Sequence, residues 1–163
     1  KNHGYDVTII GGSKKRNMAH DLVQYIDSSI FVVKNFQSDK NYSLLLSVND
    51  APNTRKAVKY GIRVAQAFDL NVTALTVSDT SLFREGYKSS SKWASKLLRR
   101  CGINHHIKLE EGKFHKTVVL LAGDDHIIVM GASTKSPLSK FFKGSKPLKV
   151  MNACQGPILI VKS

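Results

Sequence analysis

The chain has 163 residues, enough for one ordinary core, and its 25 Lys and Arg against 12 Asp and Glu give a formal net charge of +13. Such a field favours anionic partners, whether nucleotides, nucleic acid, acidic headgroups or an acidic protein face, and says nothing about fold. No apolar stretch approaches the roughly 20 residues of a membrane helix, and Cys101 and Cys154 form neither a disulfide framework nor a metal spacing. A cytoplasmic, reducing setting is therefore expected. No charged-then-apolar leader opens the chain, and it begins at Lys1 rather than methionine, so a segment of a longer protein is expected.

YDVTIIGGSKKR (5–16) contains an apolar strand, two glycines and basic residues; DSSIFVVK (27–34) is a second strand-like run, and residues 35–41 form a linker. YSLLLSV (42–48) has the length and apolarity of a strand buried on both faces. The turn cluster NDAPN follows, Thr54 stands where it can cap a helix, and Ala57, Gly61, Val64 and Phe68 recur at spacings of four, three and four. VTALTV (72–77) is the next strand, its β-branched residues suiting a pleated sheet. A long polar connection leads to a helix whose face Trp93, Leu97 and Cys101 mark and which Gly102 ends. Ile107 and Leu109 alternate with His106, Lys108 and Glu110 in a third strand. Phe114, Val118 and Leu121 mark a helix closed by Gly123. HIIVM (126–130) and PILIV (157–161) are further strands, separated by a glycine and lysine loop and a short helix around Leu148 to Ala153.

This alternation predicts an α/β fold, an open five-stranded parallel sheet with helices on both faces, because right-handed crossovers are nearly obligatory. Ligands of such sheets sit beyond the carboxyl ends of the strands, where strand order reverses. The loops after Val48, Val77 and Met130 are the ones to inspect.

The start of the chain echoes its end. YDVTIIGGSKKR resembles DDHIIVMGASTK (124–135), and DSSIFVVK resembles QGPILIVK (155–162). Matched on Gly12 and Gly131, the spacing to the closing lysine is 22 residues to Lys34 and 31 to Lys162, so the first copy is shorter by about nine. Residues 1–34 thus read as a truncated strand-helix-strand repeat, the C-terminal part of a preceding unit. Such a fragment needs a neighbour to bury its sheet, either the rest of this chain or a partner. A chance echo is the alternative.

MGASTKSPLSKFFKGS (130–145) has the physics of a phosphate loop. Glycine at 131 lets the backbone leave a strand and approach a ligand closely, and Gly144-Ser145 just before a helix presents free amide hydrogens to an anion. Lys135, Lys140, Lys143, Lys146 and Lys149 add positive charge, and no Asp or Glu occurs from 126 to 163. A solvated basic surface loop is the other reading.

With these features the chain resembles the universal stress protein (UspA-like) family, residues 42–163 as a complete domain and the opening segment as the truncated copy. The nucleotide-binding branch carries G-x2-G-x9-G-S/T; here it reads Gly131, Thr134 in place of the second glycine, and Gly144-Ser145. The resemblance implies a strand order of 3-2-1-4-5, a homodimer or pseudo-dimer through the last strand, and binding of ATP or another adenine nucleotide, with Mg. It places Asn49, where members carry an aspartate, and Val77 and Met130 beside adenine, and Gly131, Thr134, Gly144, Ser145 and Lys146 beside the phosphates. Val77 and Met130 are core residues by default, Thr134 adds a side chain where the triphosphate would run, and Lys146 stands where a small apolar residue is usual. Some members are cytoplasmic tails of membrane transporters, which implies a cytoplasmic location or the cytoplasmic face of a membrane.

The six histidines offer no ligand spacing, and adjacent His105 and His106 in a strand point to opposite faces. No metal site is expected. No nucleophile elbow, His-Glu-x-x-His or Cys-x-x-Cys occurs, so the chain reads as no enzyme, with at most slow incidental ATP hydrolysis. The leading expectation is a regulatory adenine-nucleotide-binding domain. Two others stay open: the same fold acting as a dimerisation or protein-contact module without nucleotide, and a basic domain docking on nucleic acid or anionic membrane, for which exposed aromatics are few.

Overall fold

The structure, a computed structural model, describes residues 6–12, 26–83, 85–132 and 145–162. Seven strands lie among the described residues: β1 (Val7–Gly11), β2 (Ser29–Val33), β3 (Ser43–Ser47), β4 (Val72–Ser78), β5 (His105–Glu111), β6 (His126–Gly131) and β7 (Ile158–Val161). Four helices join those from β3 onward: α1 (Thr54–Phe68), α2 (Glu85–Arg100), α3 (Phe114–Ala122) and α4 (Lys146–Ala153). The helix expected between β1 and β2 lies outside the described residues.

The strands form one sheet in the order β1-β2-β7-β6-β3-β4-β5, parallel throughout except that β2 and β7 run antiparallel. From β3 onward the order is the expected 3-2-1-4-5. The opening fragment expected to need a neighbour finds it in this chain, β1 and β2 extending the five-stranded sheet to seven through β7.

Helices cover both faces. α1 and α2 pack Val58, Ile62, Ala94 and Leu98 against Leu44, Leu46, Val72, Ala74 and Val129. α3 and α4 pack Val118, Leu148 and Met151 against Leu45, Leu75, Ile128, Ile158 and Ile160 on the other side. Alternate residues of β3 therefore serve different cores, so the run LLL is apolar at every position. Two helical faces are rotated from the sequence reading. In α2 the fully covered line is Ser91, Ala94 and Leu98, with Trp93, Leu97 and Cys101 half-buried on its flank. In α1 the line is Ala57, Val58, Gly61, Ile62 and Ala65, and Phe68 stands exposed at the end, where Asp69 adopts a left-handed φ of 53°.

The antiparallel seam has local two-fold character. Phe31 lies opposite Leu159, with Ile30 opposite Ile160 and Val32 opposite Ile158. This is the pairing that two copies of one strand make across a dyad when Ile30 matches Ile158 and Lys34 matches Lys162. The neighbouring strands obey the same relation: Gly11 pairs with Val33 as Gly131 pairs with Val161, and Ile9 with Phe31 as Val129 with Leu159. Gly12 N–H donates to Val33 O at 2.8 Å, and Ala132 N–H to Val161 O at 2.8 Å. Register therefore matches Gly131 with Gly11 rather than with Gly12. The matched lysines also cross the seam in both directions, Lys34 Nζ donating to the Met151 carbonyl and Lys162 Nζ to the Ile26 carbonyl.

Candidate functional site

The carboxyl ends of β3, β4 and β6 share one edge of the sheet, since these strands are parallel neighbours. β6 and β7 are also parallel, so α4 runs back between them and its N-terminus lies at that edge. The edge gathers the turn after β3, the end of β6 and the start of α4. Of the residues expected there, Asn49, Val77, Met130, Gly131, Ser145 and Lys146 are described; Thr134 and Gly144, with Lys135, Lys140 and Lys143, lie outside the described residues.

The turn after β3 is built on side chains. Asn49 Oδ1 accepts the Ala51 N–H at 2.9 Å and also the Thr54 hydroxyl. Thr54 is thus the first residue of α1, tied to Asn49, and the cap position belongs to Asn53. Asn53 sends its amide across to the Ala132 carbonyl, just beyond β6. The backbones meet at that crossing: a Cβ on Gly131 would lie 3.1 Å from the Asn53 carbonyl oxygen and 3.2 Å from its carbonyl carbon. A side chain at 131 would have to push the Asn53 turn back by a few tenths of an ångström, so what favours glycine there is close approach and not a turn conformation. Beside it, Asp50 packs on α2, where a Cβ on Gly86 would meet Asp50 Cβ at 3.0 Å.

α4 begins with a capped, prolyl first turn. Ser145 is extended (φ −61°, ψ 149°), its hydroxyl accepts the Leu148 N–H at 3.4 Å, and Pro147 stands within the first two positions. No acidic residue occupies that turn. Lys146 Nζ lies 5.3 Å from the centre of the Phe114 ring at the start of α3, a cation-π distance.

Val77 and Met130 are placed differently from the expectation that they line adenine. They are 8% and 2% exposed and belong to the core under α3 and α4. They floor the edge rather than open onto it. Asn53, which sequence reasoning passed over, joins the two loops; its signal was the turn cluster NDAPNT, where an Asn directly before Thr marks a cap position. The two adjacent histidines diverge as alternation requires, His105 bonding Ser95 Oγ at 3.0 Å and His106 bonding Thr73 Oγ1 at 3.0 Å.

A separate cavity of about 500 Å³ lies at the opposite, amino edge, lined by residues including Phe36, Lys40, Tyr42, Phe68, Asp69 and Ile127. Phe36 and Tyr42 stack there at 5.2 Å. None of the expected site residues that are described lines it. On its rim Lys40 Nζ meets Asp124 Oδ2 at 2.7 Å, a hydrogen-bonded ion pair that holds the carboxyl below and the ammonium above their usual ranges. No helix among the described residues is long and apolar enough to cross a membrane.

This open, largely parallel α/β fold is shared with solved universal stress proteins. No family model matches the chain. It is 27% identical over 125 residues to universal stress protein MJ0531 of Methanocaldococcus jannaschii, covering 66% of this chain and 74% of that protein. A universal stress protein structure from Archaeoglobus fulgidus superposes on 97% of the chain with a TM-score of 0.67 and 16% identity. The chain spans only 61% of that protein's length. A universal stress protein in complex with cAMP matches 76% of the chain and 98% of its own length, with a TM-score of 0.63 and 17% identity. The chain is thus similar in fold to solved universal stress proteins and in sequence to one curated member.

Proposed function

We propose that the chain is a regulatory domain that binds an adenine nucleotide at the carboxyl edge, and that the response is a change in assembly or in an attached module. The observation that carries this reading is the contact between Gly131 and Asn53, which draws the end of β6 against the first turn of α1. A loop without a single carboxylate then runs from β6 to the capped start of α4. Amide hydrogens at Ser145 and Lys146 suit phosphate oxygens. Asn49 has its carbonyl oxygen committed to Ala51 and Thr54, so its amide N–H2 is the part left to a base, a donor where a carboxylate would accept. The cAMP complex of a structural relative supports an adenine nucleotide as ligand. ATP, with Mg, is our specific choice, and no catalytic role is assigned.

Residues 1–34 are proposed as the truncated unit of a tandem pair, 35–41 as its linker and 42–163 as the complete domain, with the β2–β7 seam as a pseudo-dimer interface. A cytoplasmic location, including the cytoplasmic tail of a transporter, fits the basic charge beside acidic lipid. A second reading is a contact module that binds no nucleotide, favoured by the burial of Val77 and Met130, which leaves little apolar surface for a base. Calorimetry with ATP, ADP, AMP and cAMP at physiological salt, on the wild type and on Gly144→Asp, separates the two. Micromolar binding lost in the variant supports the sensor; no binding at millimolar nucleotide supports the module.

A further inference from the structure

β5 is an edge of the sheet, with β4 on one side and no described residue paired to the other. The Asn104 carbonyl accepts the Val72 N–H, and the Gly112 N–H donates to the Ser78 carbonyl, so both turn their main chain toward β4. Backbone groups alternate along a strand, and positions 106, 108 and 110 therefore face β4 as well. His105, Ile107, Leu109 and Glu111 are left to present their N–H and C=O groups to the free side.

Side chains alternate in the same way. His105 bonds Ser95 of α2 and so marks the face that carries Ile107, Leu109 and Glu111. α2 sinks Ala94 and Leu98 into the core over β4, while Ile107 and Leu109 stay 37% and 45% exposed. On the other face His106 bonds Thr73, and Lys108 pairs with Glu110 at 3.3 Å. The strand reads HHIKLEE: two imidazoles lead, two carboxylates close, and Lys108 is the centre.

That order is self-complementary. Antiparallel pairing with a second copy must set outward-facing residues opposite one another, and the register about Lys108 does this over the whole strand. It puts His105 opposite Glu111, His106 opposite Glu110 and Ile107 opposite Leu109 of the copy. Every imidazole meets a carboxylate, and the exposed apolar pair closes on its own image. A dyad at Ile107 would set His106 against Lys108, and one at Leu109 would set Ile107 against Glu111; both shorten the ladder. Lys108 alone faces its own kind, with its own Glu110 beside it as charge partner. The other edge, β1 (VTIIG), carries no charge to fix a register, and the outer side of β7 is already taken by β2.

We propose that β5 is a docking surface for a second copy of this chain, the two strands joining antiparallel about Lys108 into one continuous sheet. The contact is isologous and closes at the dimer. It is separate from the β2–β7 seam and requires no nucleotide. The net charge of +13 opposes it, so the contact needs physiological salt, where the screening length is about 8 Å.

Sedimentation equilibrium of the 163-residue chain at physiological salt, from micromolar to millimolar concentration, is the test. Self-association that stops at the dimer is expected. Glu110→Lys with Glu111→Lys in one chain, and His105→Glu with His106→Glu in another, should each weaken it at least about tenfold, by setting basic against basic or acidic against acidic groups. Mixing the two should restore a dimer, since each supplies what the other lacks. Lys108→Cys leaves both halves intact and decides the register even where a double variant fails to fold. Oxidation should link it to its copy, while Glu110→Cys, and the wild type with Cys101 and Cys154, should give no such link. A monomer at millimolar concentration, a dimer that both double variants leave intact, a mixture of folded variants that stays monomeric, or a Lys108→Cys chain that links no better than Glu110→Cys would overturn the proposal.

Discussion

Ile9 and Val129 hold matched positions in two ribbons of the same register, β1–β2 and β6–β7, yet one is mostly exposed and the other fully buried. The same holds for Gly11, with open space beside it, and Gly131, with a backbone against it. Strand pairing is thus independent of cover. Hydrogen bonding and β-propensity build both ribbons, while the helix above decides which positions carry stability. Lys34 and Lys162 show that the ribbons still act on each other, since each ammonium finds a carbonyl across the seam.

The largest asymmetry should come from placing a carboxylate at the matched pair. Val129→Asp buries a charge between α1 and the sheet and should cost about 4 kcal/mol or more, enough to abolish cooperative unfolding in urea. Ile9→Asp should stay within about 0.5 kcal/mol of wild type in the 163-residue chain. A smaller contrast is expected at the glycines. Gly131→Val forces the Asn53 turn aside and should cost about 1–3 kcal/mol by the same measurement, while Gly11→Val meets open space and should change little. Equal costs at matched positions would break the comparison.

The seam lysines should come next. Lys34→Met removes the ammonium donor from the Met151 carbonyl, leaving it the weaker Cys154 thiol at 3.5 Å, and should cost about 1 kcal/mol. Lys162 adds a pH signature, because burial holds its ammonium below the usual lysine range. The unfolded chain then binds the proton more tightly than the folded chain. Its contribution is fully present above 10.5 and is lost as pH falls through the folded value. The stability of wild type relative to Lys162→Met should therefore rise through the alkaline range, and a flat difference would contradict the assigned burial.

The smallest effect belongs to Lys40 and Asp124. The carboxyl is held low by the hydrogen bond from Lys40, so the pair's contribution is present above 3.8 and lost as pH falls through the folded value. Asp124 is well exposed and Lys40 partly so, and Asp124→Asn should lower the thermal midpoint only slightly near neutral pH. It should have no effect below the folded value or at high salt.

Much of the fold was legible because each element advertises its period. The apolar runs at 42–48, 72–77, 126–130 and 157–161 and the helical spacings between them pointed to a doubly covered parallel sheet, while the strand order came only from the family resemblance. Three things were not legible, for separate physical reasons. The double glycine at 11–12 offers two alignments to Gly131, and only ladder register selects Gly11. The helix faces at Trp93 and Phe68 depend on how far each helix is rolled on the sheet, and an aromatic can flank a core as well as enter it. At the site, Asn49, Gly131 and Ser145 were named from sequence, but the depth of Val77 and Met130 was not, since an apolar strand end is open or closed according to the helices packed over it. Nor could Asn53 be weighted before its amide was seen to bridge to Ala132.

The central claim is that the carboxyl edge holds an adenine nucleotide, and calorimetric titration of the 163-residue chain with ATP at physiological salt tests it most directly. Micromolar binding by at least one adenine nucleotide, ATP first, is expected, abolished by Gly144→Asp with the fold intact by circular dichroism. Absence of heat with any adenine nucleotide at millimolar concentration, or binding that Gly144→Asp leaves unchanged, would contradict it.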